Sequence, residues 1–416
     1  MTRYLATMGA EIIKVEWPSN PDPMRSAMYL RNEQNKTLNN GAFFANLNVG
    51  KRSLAVNVRS EKGLEIIRDL VRQSDVVAES FSASVLEQWG IGYAELKALN
   101  PKIVYVSLSG FGHTGPHKDK NTWGPTAQAM SGTTFMSGQP DAAPAGWGWS
   151  YLDVTSGYMG AIGVLSALVR CRRTGKGSRL DMSQVEVGIS LVGSALLESS
   201  TTSRAVLRDG VPGGNRSVGA DGSVVGYRGD EAAPSNVYRT GNGTNDYCAV
   251  SITTDDQWRA LVGALGNPDW AEDERFASSA GRAANQDLID SHLSRWMRGR
   301  GKYDAMDLLQ GCGVPAGAVQ SGRDRVENDP QLRHQRTFTP LVHPHLGFQM
   351  FESAPFHSST TEYALEPRWP VLGSDTEYVL TEVLNYSKET VSELREEHVL
   401  WPEGLSANPA IERSLW

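Results

Sequence analysis

The sequence predicts an α/β protein built around a doubly wound parallel sheet, with a smaller α+β module towards the middle of the chain. Three observations carry that expectation. Short apolar or β-branched runs alternate with segments of helical period over the N-terminal quarter, the pattern of parallel strands joined by crossover helices. Gly and Pro punctuate these runs where such units turn. The chain has 416 residues, enough for two or three domains, or one large domain with an insertion, at about 150 residues per domain.

Residues 2–8 read as the end of a helix capped by Gly9, and residues 10–15 as a short strand stopped at Trp17-Pro18. After Ser60 the apolar positions Leu64, Ile67, Leu70 and Val71 fall at helical spacing, and residues 75–79 return as a strand. A helix over 93–99 stops at Asn100-Pro101, and a strand over 103–108 turns at Ser109-Gly110-Phe111-Gly112. Residues 154–170 form a helix dense in Gly and Ala, a composition that permits close backbone approach, and a strand follows over 178–182. The Gly-rich stretch 210–234 reads as a long loop or linker. A smaller module begins near residue 225, with strands within 237–252 around Gly241-Asn242-Gly243 and helices over 255–265, 285–297 and 303–310. Pro-punctuated strands follow Asn328-Asp329-Pro330, helices over 375–385 and 388–397 close the fold, and residues 401–416 are a tail, disordered from Asn408 onward.

Composition narrows the function. Hydrophobic residues are 40% and charged residues 21% of the chain, the profile of an ordinary folded protein. The formal net charge of −7 offers no attraction to nucleic acid or to an anionic membrane, and leaves room for a local basic pocket for a small anion. Cys171, Cys248 and Cys312 are far apart and have no His at ligand spacing, so neither a disulfide framework nor a metal site is expected. The apolar stretches 157–169 and 187–197 are shorter than the roughly 18 residues of a membrane span, and residues 1–9 lack the features of a secretory signal. A cytoplasmic location is expected.

Few residues point singly to chemistry. Asp153 stands alone between an aromatic approach, Trp147 to Leu152, and a helix of small side chains, in the place of an N-cap. A carboxylate kept ionised there suits nucleophilic attack on an activated carbonyl, and capping alone explains it equally well. Lys14, Arg25, Lys51, Arg52 and Arg59 fit either phosphate contacts at strand ends or a solvated surface. The turn from Ser109 to Pro116 is neither a P-loop nor a dinucleotide fingerprint. His113 and His117 are general bases only if a carboxylate partner exists, and the sequence identifies none, so turn or surface histidines are expected. Trp123 packs on a ligand or on the core.

Taken together and in order, these segments resemble the class III CoA-transferase family, which includes an acyl-CoA racemase branch. The resemblance rests on Met8-Gly-Ala-Glu-Ile-Ile-Lys-Val-Glu16, Asp22-Pro-Met-Arg25, Asn48-Val-Gly-Lys-Arg-Ser-Leu54, Asp75 to Phe81, Asn100-Pro101, Ser109 to Pro116 and Ala127 to Gly132. It continues through Asp153 and its helix, Arg173-Thr-Gly-Lys-Gly177, Gly313 to Val319 and Leu372-Gly-Ser-Asp375. It implies a Rossmann-like large domain built from both chain ends (1–200 and 319–400), a linker (201–224), a small α+β domain (225–318), and two subunits interlocked as a homodimer, or a heterodimer with a paralogue. It further implies that Asp153 attacks an acyl-CoA thioester, forms an acyl-aspartyl anhydride and then an aspartyl-CoA thioester, and passes CoA to an acceptor carboxylic acid. No permanently bound cofactor is implied, because CoA is a substrate. Its contacts are expected at Arg25, Val56, Arg59, Ser80, Phe81, Gln88, Asn121 and Trp123.

The sequence departs from the family in four places. Trp123 and Gly124 stand where the racemase branch carries a His-Asp pair, so the racemase base is absent. Gln88 replaces a common Arg, and the stretch near 227–234 replaces the glycine run of the formyl-CoA branch, which argues against oxalate as acceptor. Family members carry a further N-terminal segment with a strand and a CoA-touching loop; without it a central strand is expected to be missing and pairing edges exposed. The alternatives to a transferase are a non-catalytic CoA-binding subunit of a heteromer and, behind it, a racemase.

Overall fold

The fold comes from a computed structural model that describes residues 1–26, 36–137, 143–148, 150–202, 215–216, 224–227, 233–241, 243 and 245–401. Most of the expected linker, the stretch 228–232, Asn242 and the expected tail beyond Trp401 lie outside the described residues. The chain divides into two compact units: Met1–Thr122, Leu152–Val187 and Val326–Trp416 form the first, Trp123–Tyr151 and Gly188–Arg325 the second.

The first unit starts with α1 (Thr2–Thr7), β1 (Ile13–Glu16), α2 (Ala42–Asn48) and β2 (Arg52–Ala55). Then follow α3 (Glu61–Gln73), β3 (Val76–Glu79), α4 (Val85–Gln88), α5 (Tyr93–Leu99) and β4 (Val104–Ser109). Ser60 caps α3 by accepting from the Gly63 N–H, which sets where the amphipathic run begins. After α6 (Gly124–Met130) of the second unit, α7 (Tyr151–Thr174) and β5 (Ser178–Ser183) return to the first, and α8 (Gln184–Leu191) leaves it. Strands β3, β4 and β5 pair in parallel with β4 central; Glu79 lies opposite Ser107, and Ser109 opposite Ser183. All three strands therefore end at one edge, where an open α/β sheet presents its ligand loops.

The parallel strands form two ladders, the division expected of a sheet that lacks a central strand, and not the one continuous sheet of the fold class: β1 pairs with β2, apart from the β3-β4-β5 ladder. The ladders still share a core, since Ile12 beside β1, Val76 of β3 and Val106 of β4 pack in one cluster with Leu5, Ala161 and Val164.

Helix α7 also differs. It runs 24 residues and is long and apolar enough to cross a membrane by length and composition, because its ends extend past the apolar stretch read from the sequence. In this fold one face lies on the unit: Leu152, Ser156, Gly160, Val164 and Ala167 are buried. A Cβ on Gly160 would stand 2.9 Å from Met1 Sδ and 3.3 Å from Leu108 Cδ1, so the small residue is what lets helix and sheet meet.

The second unit continues with α9 (Gly193–Thr202), β6 (Asn215–Arg216), β7 (Val224–Tyr227), β8 (Ser235–Arg239) and β9 (Tyr247–Ser251). Helices α10 (Asp255–Ala264), α11 (Ser279–Ala284), α12 (Gln286–Met297) and α13 (Lys302–Gly311) precede β10 (Ala316–Ala318). The strands make an antiparallel sheet in the order β10-β9-β8-β7-β6. Its core joins Tyr238, Cys248 and Val250 to Trp258, Leu261, Ile289 and Leu293 of the helices. The chain then adds α14 (Gly322–Glu327), α15 (Pro330–His334), the hairpin β11 (Phe338–His343) and β12 (Gly347–Glu352), α16 (Thr376–Tyr378, continuing as a π turn) and α17 (Lys388–Glu396). Val379, Leu380, Val391 and Leu394 close over Leu54, Ile66 and Leu70, so segments far apart in the chain share the core of the first unit.

Candidate active site

The edge formed by the ends of β3, β4 and β5 gathers polar groups that the sequence scatters. Glu79 ends β3, and its carboxylate accepts from the Phe81 N–H at 2.7 Å and from the Tyr105 hydroxyl at 3.0 Å. His113 Nε2 stands 3.6 Å from the same carboxylate and 3.2 Å from the Phe81 carbonyl oxygen. The His113 N–H donates to Asp181 of β5 at 2.8 Å. Burial raises the Glu79 pKa, while the Phe81 N–H, His113 and Tyr105 act in the opposite direction; burial also raises Tyr105. His113 is thus neither a surface nor a simple turn histidine: it is buried beside a carboxylate that only the parallel pairing of β3 and β4 brings to it. Together the two fix the backbone on which Phe81 is presented.

Asp153 lies in the first turn of α7, which begins at Tyr151, so the N-cap expectation is corrected: Tyr151 and Leu152 are already helical. The first-turn position still sets the carboxylate in the favourable field of the helix N-terminus. Its Oδ1 accepts from Gln184 Nε2 at 2.5 Å. Asp153 is exposed and Gln184 is buried. Gln184 is the first residue of α8, directly after β5. Its backbone is pinned on both sides by one acceptor: the Gly110 carbonyl takes the Ser183 hydroxyl and the Val185 N–H, each at 3.1 Å. Gly110 is required there, because a Cβ would stand 1.8 Å from Thr122 Oγ1.

The residues expected to meet CoA are placed unequally. Ser80 and Phe81 follow β3 and are exposed, and Asn121 joins them because the Ser82 hydroxyl donates to its Oδ1 at 3.3 Å. Gln88 is exposed at the end of α4, next to Trp89, whose ring meets that of Phe81 edge-on at 5.6 Å. Arg59 is exposed just before the Ser60 cap, and its guanidinium forms no ion pair among the described residues. Trp123, 67% exposed, precedes α6 in the second unit.

Two placements differ from expectation. Arg25 is fully buried, with its guanidinium donating to both Glu16 carboxylate oxygens, to the Leu38 and Pro370 carbonyls and to Asn39, while stacking 3.9 Å over Phe44. No donor remains for a phosphate. Val56 is fully buried in the core and its N–H donates to the Glu16 carbonyl, so its side chain offers a ligand nothing. Among the described residues, no group of three or more His, Cys, Asp or Glu side chains has an arrangement suited to a metal ion.

A sequence profile of CoA-transferase family III matches residues 1–376. The chain belongs to CoA-transferase family III. Relatives include a succinyl-CoA–D-citramalate CoA-transferase of Chloroflexus aurantiacus, 29% identical over 398 residues, covering 96% of this chain and 93% of the relative. A succinate–glutarate CoA-transferase of Agrobacterium fabrum is 30% identical over 336 residues, covering 80% and 78%. A formyl-CoA:oxalate CoA-transferase of a Bradyrhizobium species is 28% identical over 415 residues, covering 96% and 93%. Among solved structures, a CaiB/BaiF family protein from Brucella suis superposes with a TM-score of 0.77 at 28% identity, covering 91% of this chain and 93% of that one.

Within this family III chain, Gln184 and the pairing of His113 with Glu79 are the features of the candidate site that the sequence did not disclose. Gln184 is 31 positions from Asp153 and has no motif around it. The one signal that pointed towards it was the strand over 178–182, whose end had to share an edge with the Ser109 to Pro116 turn.

Proposed function

We propose that this chain transfers CoA from an acyl-CoA to a carboxylic acid through a covalent relay on Asp153. The observation that supports this most strongly is the state of that carboxylate: one oxygen is held by Gln184, and Oδ2 has no hydrogen-bond partner among the described residues. A carboxylate so oriented is a ready nucleophile. Oδ2 attacks the thioester carbonyl carbon, the C–S bond breaks, and CoA leaves as the thiolate. The thiolate then attacks Cγ of the acyl-aspartyl anhydride and expels the donor carboxylate, which leaves an aspartyl-CoA thioester. The acceptor carboxylate reverses both steps and regenerates Asp153. The names of the relatives, each a CoA-transferase named for carboxylic acids, support the substrate class.

CoA is proposed to lie along the strand ends, with Ser80, Phe81, Gln88 and Asn121 lining its path and Arg59 available for a phosphate; Trp123 is carried as a contact on the resemblance alone. The protein is proposed to be cytoplasmic and to act as a homodimer. Support for the dimer comes from α7: Val154, Tyr158, Ile162, Leu165 and Val169 are exposed, between 40% and 57%, and their spacing of four, four, three and four residues puts them on one face. That face is opposite the buried one, so the helix is apolar on both sides, as a helix between a sheet and a second subunit has to be.

The test is Asp153→Asn with a panel of acyl-CoA donors and acids. Transfer is expected to fall below detection while CoA binding is retained; turnover near the wild-type rate refutes the relay.

A further inference from the structure

We infer that Gln184 is a catalytic residue, the hydrogen-bond donor for the oxyanion that forms on Asp153 itself. The inference rests on the covalent relay proposed above. An ionised carboxylate can only accept, so the group facing Asp153 Oδ1 at 2.5 Å is the amide N–H of Gln184. While Oδ2 acts as nucleophile, Oδ1 becomes the carbonyl oxygen of the acyl-aspartyl anhydride. When the CoA thiolate attacks Cγ, the electron pair of that carbonyl moves onto Oδ1, and it returns as the bond from Cγ to the bridging oxygen breaks and the donor carboxylate departs. When the acceptor carboxylate attacks the aspartyl-CoA thioester, charge again gathers on Oδ1 and the Cγ–S bond breaks. Both steps at Cγ place negative charge on the atom that Gln184 already touches.

The donor is fixed before reaction, which is what makes such a hydrogen bond effective in the transition state. Gln184 is buried, and the Gly110 carbonyl fastens the residues on both sides of it. Ser183 Oγ also accepts from the Glu186 N–H, which secures the first turn of α8. The initial attack on the acyl-CoA is different. There the oxyanion lies on the acyl oxygen and not on Oδ1. Gln184 therefore assists the two steps at Cγ and not the first attack.

The experiment follows appearance of the CoA adduct on the Asp153 peptide by rapid quench and mass spectrometry, in wild type, Gln184→Met and Gln184→Glu. Gln184→Met keeps the side-chain length and removes the donor. It is expected to slow the adduct and steady-state transfer by about 100-fold, the usual effect of losing one oxyanion donor, with acyl-CoA affinity little changed. Gln184→Glu, the second and near-isosteric variant, cannot donate when ionised; its activity is expected to recover as pH falls and the introduced carboxyl takes up a proton. That recovery distinguishes donation from packing. Wild-type rates and a wild-type pH profile in both variants overturn the role of Gln184. Transfer by the wild type with no CoA adduct at Asp153 overturns the relay, and this inference with it.

Discussion

Arg25 donates five hydrogen bonds inside the first unit, and its guanidinium forms a buried ion pair with Glu16 at 2.6 Å. Removing one partner of such a pair leaves the other charge buried and alone, which typically costs about 3–5 kcal/mol. Arg25→Met is therefore expected to lower the denaturation midpoint strongly, while CoA affinity of the fraction still folded stays close to wild type. A large loss of CoA affinity with unchanged stability restores Arg25 to the binding site. The sequence gives the residue type and its place after the first strand, but not its partners, because Glu16, Leu38 and Pro370 meet it only in the tertiary fold. Asp153 shows the same limit in reverse. Its isolation before a small-residue helix marked it out, yet its donor comes from the far side of β5.

At the scale of elements, legibility followed the strength of local signals. β3 and β4 were readable because β-branched residues run between clear breakers, and α3 because its apolar positions repeat at helical spacing. β2 was not, since Arg52–Ala55 is four residues long with charge at one end. The start of α7 was misplaced because Tyr151 and Leu152 continue an aromatic run; the backbone marks the boundary instead, with Ser150 at φ 47° just before the helix. The β11–β12 hairpin carries a pH sensitivity that no sequence pattern reveals. His343 is buried, and its Nδ1 accepts from the N–H groups of His345 and Leu346 in the turn. Burial lowers its pKa from 6.5 to about 4, and the neighbouring His345 adds to that shift. As pH falls through 6.5 the unfolded imidazole takes up a proton that the folded one refuses, so this contribution to stability is lost between about 6.5 and about 4. Protection of the His345 and Leu346 amides, taken relative to the intrinsic exchange rate at each pH, is expected to be high near neutral pH and much lower near pH 4. Equal protection at both pH values contradicts this account of the turn.

At the scale of the whole molecule, the two-faced character of α7 links the fold to the proposed assembly and the proposed chemistry, because the helix that carries Asp153 in its first turn also carries the exposed apolar stripe. Ile162, 57% exposed, is central to that stripe. Ile162→Glu is expected to convert a dimer into a species sedimenting as one chain and to reduce transfer with it; a wild-type protein sedimenting near 45.3 kDa contradicts the assembly. The relay on Asp153 is tested most directly by isotope. If the acceptor carboxylate attacks Cγ and its acyl carbon is then taken by the CoA thiolate, one acceptor oxygen is left behind on Asp153. Turnover with an acceptor acid labelled in both carboxylate oxygens with oxygen-18 should therefore place the label in the Asp153 peptide, and in later cycles in the released donor acid. Rapid transfer with no oxygen-18 in that peptide would contradict the account.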